Sequence, residues 1–322
     1  MHMQLLKTII ILLVLAAITT PAFSQIRVVS YNTAQFNGDP IAMTEVLQAA
    51  SDDDSHGFAA PVSIFLFQEV DEAYLSTLVE VVGPNYTMAT FTDQNDSSWG
   101  GAQAMFYLST QFKEHTPSHE DIFTNAGRHA DRWGLYLLGY DELLVYVYSM
   151  HLKAGSGSAN EETRRDGAEN VRDDIATLPP NSRIIVAGDM NFYSPNDDAY
   201  NWFTETDPDG NGVDDLGQLI DPLGTGSSWG GVSNAWKHTQ SPLLNQSGGL
   251  TGGGLDDRFD FQFVNETLLD GDGVSLIDGT YRSLGNDGQH YNIAINTGNN
   301  IYFPGDTDRG NILADQLVLA SD

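Results

Sequence analysis

Residues 184–191, I-I-V-A-G-D-M-N, constrain the fold more than any other stretch. Four branched or small apolar residues in a row read as a buried strand. Gly188 then lets the backbone turn, and Asp189 and Asn191 leave the strand's C-terminal edge. Alternate side chains of a strand point to opposite faces, so positions two apart share a face while Met190 points away. A carboxylate and an amide side by side suit a divalent metal and a phosphate oxygen. They equally suit a βα turn, where Asp and Asn are ordinary turn formers. The preceding helix narrows the topology. Residues 158–178 open with a capping box (Ser158, Glu161), set Ala168, Val171, Ile175 and Leu178 on one face, and stop at Pro179-Pro180. A helix feeding a buried strand makes a βαβ-like unit, with β-hairpins leading into it.

The other elements follow from the same periodicities. Residues 26–31 (I-R-V-V-S-Y) form a first strand closed by Asn32 and Thr33, and residues 62–67 a second that ends in Gln68-Glu69. Residues 86–91, 102–108, 133–138 and 143–150 read as further strands, the last two joined as a hairpin at 139–142. Helical patterns cover 40–50, 71–82 and 306–320. Glu69 has two readings, a carboxylate favoured near the next helix N-terminus or a metal ligand; Asp71 is better placed to cap, which leaves Glu69 spare. His151, directly after a strand, is either structural or catalytic. In residues 258–264 (R-F-D-F-Q-F-V), Phe259, Phe261 and Phe263 share one face and Asp260 takes the other. An Asp within an aromatic strand is costly unless paired or bound. No repeat or linker divides residues 25–322, which are expected to form one domain.

Residues 1–24 stand apart. Lys7, an apolar run over 8–18 and the small-residue site Ala22-Phe23-Ser24 have the anatomy of a secretory signal. That run is too short to span a bilayer comfortably, and no later run approaches ~20 apolar residues. The expected product is exported (extracellular or periplasmic), monomeric and without stable membrane insertion. With no Cys among 322 residues, disulfides, thiolate chemistry and a lipid-anchored N-terminus are excluded. Lys and Arg total 14 against 44 Asp and Glu, a formal charge of −30, and the densest basic spot is Arg164-Arg165. Such a surface repels polyanions, although the Debye length falls to ~3 Å near 1 M salt. Residues 207–215 (D-P-D-G-N-G-V-D-D) begin like a calcium loop, but position twelve is Gln218 rather than the bidentate Glu such loops use. An ordinary acidic loop is the favoured reading there.

Five short motifs occur in order at strand ends: S-Y-N at 30–32, F-Q-E-V at 67–70, S-M-H-L-K at 149–153, G-D-M-N at 188–191 and R-F-D-F at 258–261. In this the chain resembles the endonuclease/exonuclease/phosphatase superfamily, which includes DNase I-like nucleases, abasic-site endonucleases, neutral sphingomyelinases and inositol phosphatases. The segments H-T-Q-S-P (238–242) and G-L-D-D-R-F-D-F (254–261) look like its secreted bacterial branch. The resemblance implies a four-layer α/β/β/α sandwich of two packed mixed sheets. It implies that Glu69 is the principal Mg²⁺ ligand, with Mn²⁺ or Ca²⁺ as possible substitutes, and that Asn32 supports it. It makes His151 the acid or electrostatic partner of the phosphate, Asp189 the group that orients or deprotonates water, and Asn191 a holder of a phosphate oxygen. Asp260 would complete the site as a catalytic group near a second metal position. Hard oxygen ligands of this kind suit Mg²⁺ and phosphodiester cleavage. Arg132, just before the strand at Trp133, is placed either to contact phosphate or to lie exposed. The family motif Ser-Asp-His implies a catalytic role for Asp322 and a His after it; Ser321-Asp322 are the last residues here, so the domain is expected to be C-terminally incomplete. The Gln289-His290 pair is no substitute, since Gln stands where the motif has Asp. The implied substrate is a phosphodiester, nucleic acid foremost, with a phospholipid headgroup or a non-catalytic metal-binding role as alternatives.

Overall fold

A computed structural model describes residues 25–54, 60–93, 101–140, 144–224, 228–246, 250–302 and 305. The expected signal over 1–24, the expected helix over 306–320 and Asp322 lie outside the described residues.

Two sheets pack face to face. The first holds β1 (Val28–Asn32), β2 (Ile64–Val70), β3 (Tyr86–Met88) and β4 (Ala102–Leu108) in the order β1-β2-β4-β3, with β1 and β2 parallel and the other pairs antiparallel. The second holds β5 (Phe112–Glu114), β6 (Glu120–Phe123), β7 (His129–Leu137), β8 (Leu144–His151), β9 (Arg183–Asp189) and β10 (Asp260–Val264). Its order is β10-β9-β8-β7-β5, with β6 also on β7; only β8 and β9 run parallel. Helices α1 (Pro40–Asp52) and α2 (Leu75–Val82) cover the first sheet, while α3 (Ser158–Ala176) and α4 (Asp198–Thr204) cover the second. The result is the expected α/β/β/α sandwich.

The period of two builds the layers. On β1, Val29 and Tyr31 face the helices with Phe65 and Phe67 of β2. Val28, Ile64 and Leu66 point the other way, into the layer between the sheets, where they meet Trp133, Leu135, Val145, Val147, Ile185 and Ala187. Beyond the second sheet, Tyr146, Tyr148, Ile184, Val186, Phe261 and Phe263 pack on Ala168, Val171 and Ile175 of α3.

Several element edges differ from the sequence expectation. The strand expected at 86–91 stops at Met88, and the helix expected at 71–82 divides into a 3-10 turn, Glu72–Tyr74, and α2, with Asp71 capping through a 2.8 Å bond from the Ala73 N–H. Ser158 is not the cap of α3. Gly157, at φ +116°, holds that position and its carbonyl accepts the Asn160 and Glu161 N–H groups, so Ser158 is already inside the helix. β7 begins at His129, four residues before the expected start, because Ile122 and Phe123 of β6 pair with Ala130 and His129.

Candidate active site

The interior parity of four strands brings polar residues to one end of the sandwich. Asn32 continues the inward series of Val28 and Ser30; His151 continues Val145, Val147 and Ser149; Asp189 continues Ile185 and Ala187. Asp260 faces Asp189 in the antiparallel β9–β10 register, and His151 faces Asp189 in the parallel β8–β9 register. Glu69 breaks the rule. Strict alternation after Phe65 and Phe67 would send it toward the helices. A bulge between Phe67 and Val70 and a left-handed φ of +57° turn it into the site instead. Gly101 makes room for this bend: a Cβ there would stand 2.5 Å from the Val70 carbonyl oxygen and 2.8 Å from the Glu69 carbonyl carbon. Gly188 does the same for Asp189, because a Cβ there would sit 1.9 Å from the Met150 carbonyl oxygen of the neighbouring strand.

The Asn32 amide bridges two carboxylates, donating to Glu69 Oε1 and to Asp189 Oδ2 at 3.0 Å each. Its own carbonyl oxygen is held by the Ala34 N–H at 2.8 Å, which fixes the amide's orientation. His151 lies between the same two acids, with Nδ1 3.7 Å from Glu69 Oε1 and Nε2 3.5 Å from Asp189 Oδ2. Glu69, His151 and Asp189 thus form a cluster whose ligand atoms lie within 4.8 Å of one another. The Asn191 N–H holds Asp189 Oδ1 at 3.2 Å, and its side-chain amide donates to the Leu152 carbonyl at 3.3 Å.

Electrostatics in this cluster are dominated by burial. It raises the Glu69 and Asp260 carboxyls above the usual carboxylate range, with Asn32 opposing it at Glu69 and Thr239 at Asp260. Asp189 is raised to about 7 by burial and by the neighbouring Glu69 charge, against the pull of Asn32 and Arg128. His151 is driven toward the neutral imidazole by burial, then by Arg128 and Lys153. Three crowded carboxyls therefore have only Arg128 and, at Asp260, Arg258, itself paired with Asp221, to offset them, an excess of negative charge that a divalent cation would neutralise. Two buried polar atoms of the same region, Asp260 Oδ1 and His151 Nδ1, make no hydrogen bond. Orphaned donors and acceptors beside hard oxygen ligands fit a bound dication, which Glu69 and Asp260 would hold while the Asn32 amide orients the Glu69 carboxylate. Such an ion would polarise a phosphoryl oxygen and stabilise charge developing on it.

Sequence reasoning passed over Arg128. It is 6% exposed, and its charge acts on Glu69, Asp189 and His151. It donates to the Leu152 carbonyl at 3.3 Å, the oxygen that also receives the Asn191 amide, so guanidinium and amide converge on one spot beside the acids. Arg132, the arginine picked from sequence, is held elsewhere. Its guanidinium donates to both Asp174 oxygens at 2.6 Å and to the Ser118 carbonyl at 3.0 Å. The signal that locates Arg128 is the same one applied to Arg132, an arginine just before a strand; the strand begins four residues sooner.

Two other histidines have structural partners. His290 is fixed between Asp287 Oδ1 at 2.7 Å and the Thr297 carbonyl at 3.0 Å, and His238 between the Leu255 and Trp229 carbonyls. In the loop at 207–215, Asp207 accepts the Asn211 and Gly212 N–H groups and Gln218 turns away to the Thr204 carbonyl, while Asp207, Asp209 and Asp215 keep ligand atoms within 4.8 Å of one another, as a bound cation would need. Among the described residues no helix is long and apolar enough to cross a membrane.

Comparison with known proteins agrees with this geometry. No curated protein matches the chain by sequence. Among solved structures, D. rerio TDP2 complexed with a single-strand DNA product shares 16% identity at a TM-score of 0.51, over 74% of this chain and 83% of that one. The human Nocturnin catalytic domain with bound sulfate shares 16% at 0.50, over 92% and 93%. A Bacteroides thetaiotaomicron mannosyl-6-phosphatase shares 17% at 0.50, over 75% and 85%. At such identities the likeness shows the fold. The model of the Endonuclease/Exonuclease/phosphatase family matches residues 29–295, a span that runs from β1 past Asp260 and encloses every residue of the cluster; the chain belongs to that family and is a hydrolase of phosphate esters.

Proposed function

We propose that the chain is an exported, Mg²⁺-dependent phosphodiesterase whose substrate is nucleic acid. The observation that carries this reading is the position of Arg128 and Asn191 beside the Glu69–Asp189 acids. A cation site and an anion-binding pair meet there, which is what a phosphodiester needs at its reacting centre. Glu69 would hold the cation, its carboxylate oriented by the Asn32 amide, and Arg128 with the Asn191 amide would hold a phosphate oxygen. Asp189 takes the proton of the attacking water: both its oxygens are fixed by hydrogen bonds, and a pKa near 7 suits a base at neutral pH. His151, neutral and wedged between the two acids, keeps their carboxylates apart and has one ring N–H to share between them and a bound phosphate.

The substrate class is supported by an aromatic pair at the rim. Phe36 and Tyr74 stack at 5.3 Å with planes 18° apart, on the segments that follow Asn32 and Glu69, and Tyr74 is 42% exposed. Aromatic faces of this kind hold unpaired bases by stacking. The secretory pattern of residues 1–24 supports export, and the segments at 238–242 and 254–261 support the secreted bacterial branch.

Initial rates on single-stranded DNA and RNA oligonucleotides, sphingomyelin vesicles, bis(p-nitrophenyl) phosphate and a sugar monophosphate, each with Mg²⁺ and with EDTA, test the assignment. Cleavage of the oligonucleotides, lost in EDTA, is the expected result. Phe36→Ala should slow that cleavage several-fold yet leave bis(p-nitrophenyl) phosphate hydrolysis unchanged. Hydrolysis of the vesicles or the monoester alone would replace nucleic acid as the substrate.

A further inference from the structure

A second cluster lies on β6 and β7, where Asp131 is the cross-strand partner of Ser149, two residues before His151. Asp121 and Asp131 are direct cross-strand partners in the antiparallel register. Like charges facing each other across a sheet are destabilising, and here one of the two is wholly enclosed: Asp131 has no exposure. His119, which follows the turn Thr116–Ser118, closes the third side. Its Nε2 stands 3.4 Å from Asp131 Oδ1 and 4.0 Å from Asp121 Oδ1.

These atoms are poorly satisfied within the protein. His119 Nε2, Asp121 Oδ1 and both carboxylate oxygens of Asp131 lack a hydrogen bond of normal geometry, and Asp131 has only the facing Asp121 carboxyl and the Gln103 backbone N–H near it. A buried carboxylate left in this way is strongly unfavourable. Burial and the facing Asp121 accordingly push the Asp131 carboxyl well above its usual range. The spacings are informative. At 3.4 and 4.0 Å the His119 contacts are too long for charge-assisted hydrogen bonds. Ligands bound tetrahedrally at ~2.0–2.2 Å around one ion stand ~3.3 Å or more apart. The three groups are therefore spaced as ligands of a common centre, and their atoms fall within 4.8 Å of one another.

We propose that His119, Asp121 and Asp131 form a second metal site, distinct from the Glu69–Asp189 cluster, that takes a zinc-type transition-metal dication through one imidazole nitrogen and two carboxylates. One nitrogen with two carboxylates is a donor set zinc accepts, with water in the remaining position. The Trp133 ring, centred 5.8 Å from the His119 ring, shields one side. The ion would fasten the segment before β6 to β7, the strand that Arg128 leads into.

The test uses the full chain carrying Glu69→Gln, which removes the first cluster's principal ligand, with and without Asp131→Asn. Both proteins are stripped of metal, dialysed against micromolar Zn²⁺ or Co²⁺, and analysed for metal content, visible Co²⁺ absorption and Tm. The single variant should hold one more equivalent of zinc than the double variant and show Co²⁺ d–d bands that the double variant lacks. Zinc should raise the Tm of the single variant only. Without metal the double variant should melt at least as high, since it lacks the buried acid. If Asp131→Asn does not fold, His119→Gln at the partly exposed position makes the same comparison. Equal metal content and equal Tm response in the paired proteins would overturn the site and leave two carboxyls sharing a proton.

Discussion

Asp260 stands directly across from Asp189 in the β9–β10 register, with both carboxyls on the inner face and both raised above their ordinary range by burial. Two neighbouring strands thus present acid against acid at the mouth of the site, an arrangement unfavourable by itself and favourable around a cation.

Replacing Glu69 by Gln should abolish metal-stimulated hydrolysis while preserving the fold. The amide keeps the side chain's size within the bulge at φ +57° but removes the charge that the cation needs. Rates across a Mg²⁺ titration, with circular dichroism as the folding control, measure this; unchanged rates at limiting Mg²⁺ would remove Glu69 from the site.

Asp189→Asn should lower kcat on the order of 10²–10⁴-fold with little change in KM, as expected for loss of a general base. A loss confined to KM would make Asp189 a positioning residue.

The two arginines should separate cleanly. Arg128→Ala should weaken phosphate binding and raise KM at least tenfold. Arg132→Ala should leave KM unchanged yet lower stability by about 1–3 kcal/mol, because it strips Asp174 of a charged partner. Paired kinetics and denaturant melts distinguish the outcomes, and a KM effect from Arg132→Ala would restore it as a phosphate contact.

Metal-free protein should lose stability as pH rises from about 4 to about 7. Asp189 has a folded pKa raised from 3.8 to about 7, so its contribution is fully present below the lower value and lost through the higher. Tm in EDTA should therefore fall between pH 5 and pH 8, and Asp189→Asn should shrink that fall. A Tm that rises over this interval would contradict the buried-acid account.

Most of the cluster was legible because strand ends obey a period of two. Asn32, His151 and Asp189 end strands whose inward series can be read off the sequence, and Asp260 stands out as the acid on the face opposite Phe261 and Phe263. Glu69 came from its position after a strand, but the bulge that aims it follows from a close approach of Gly101, far along the chain. Arg128 and the true start of β7 were hidden for a different reason. His129, Asp131 and Arg132 interrupt the apolar alternation, and only partners distant in sequence, among them Ile122, Phe123 and Asp174, make a strand of them. Likewise a Ser before Glu161 looks like a cap until Gly157, with its positive φ, takes that place.

Asn32 and Glu69 belong to one sheet, and His151, Asp189 and Asp260 to the other. Catalytic competence is therefore a measure of alignment between two layers, each internally stitched by its own backbone ladder. A slide of one layer over the other by about an ångström would leave every strand intact and still spoil the reacting geometry. Activity should accordingly vanish on warming at a lower temperature than the far-ultraviolet signal, and a bound dication, acting as a rivet through both layers, should draw the two temperatures together.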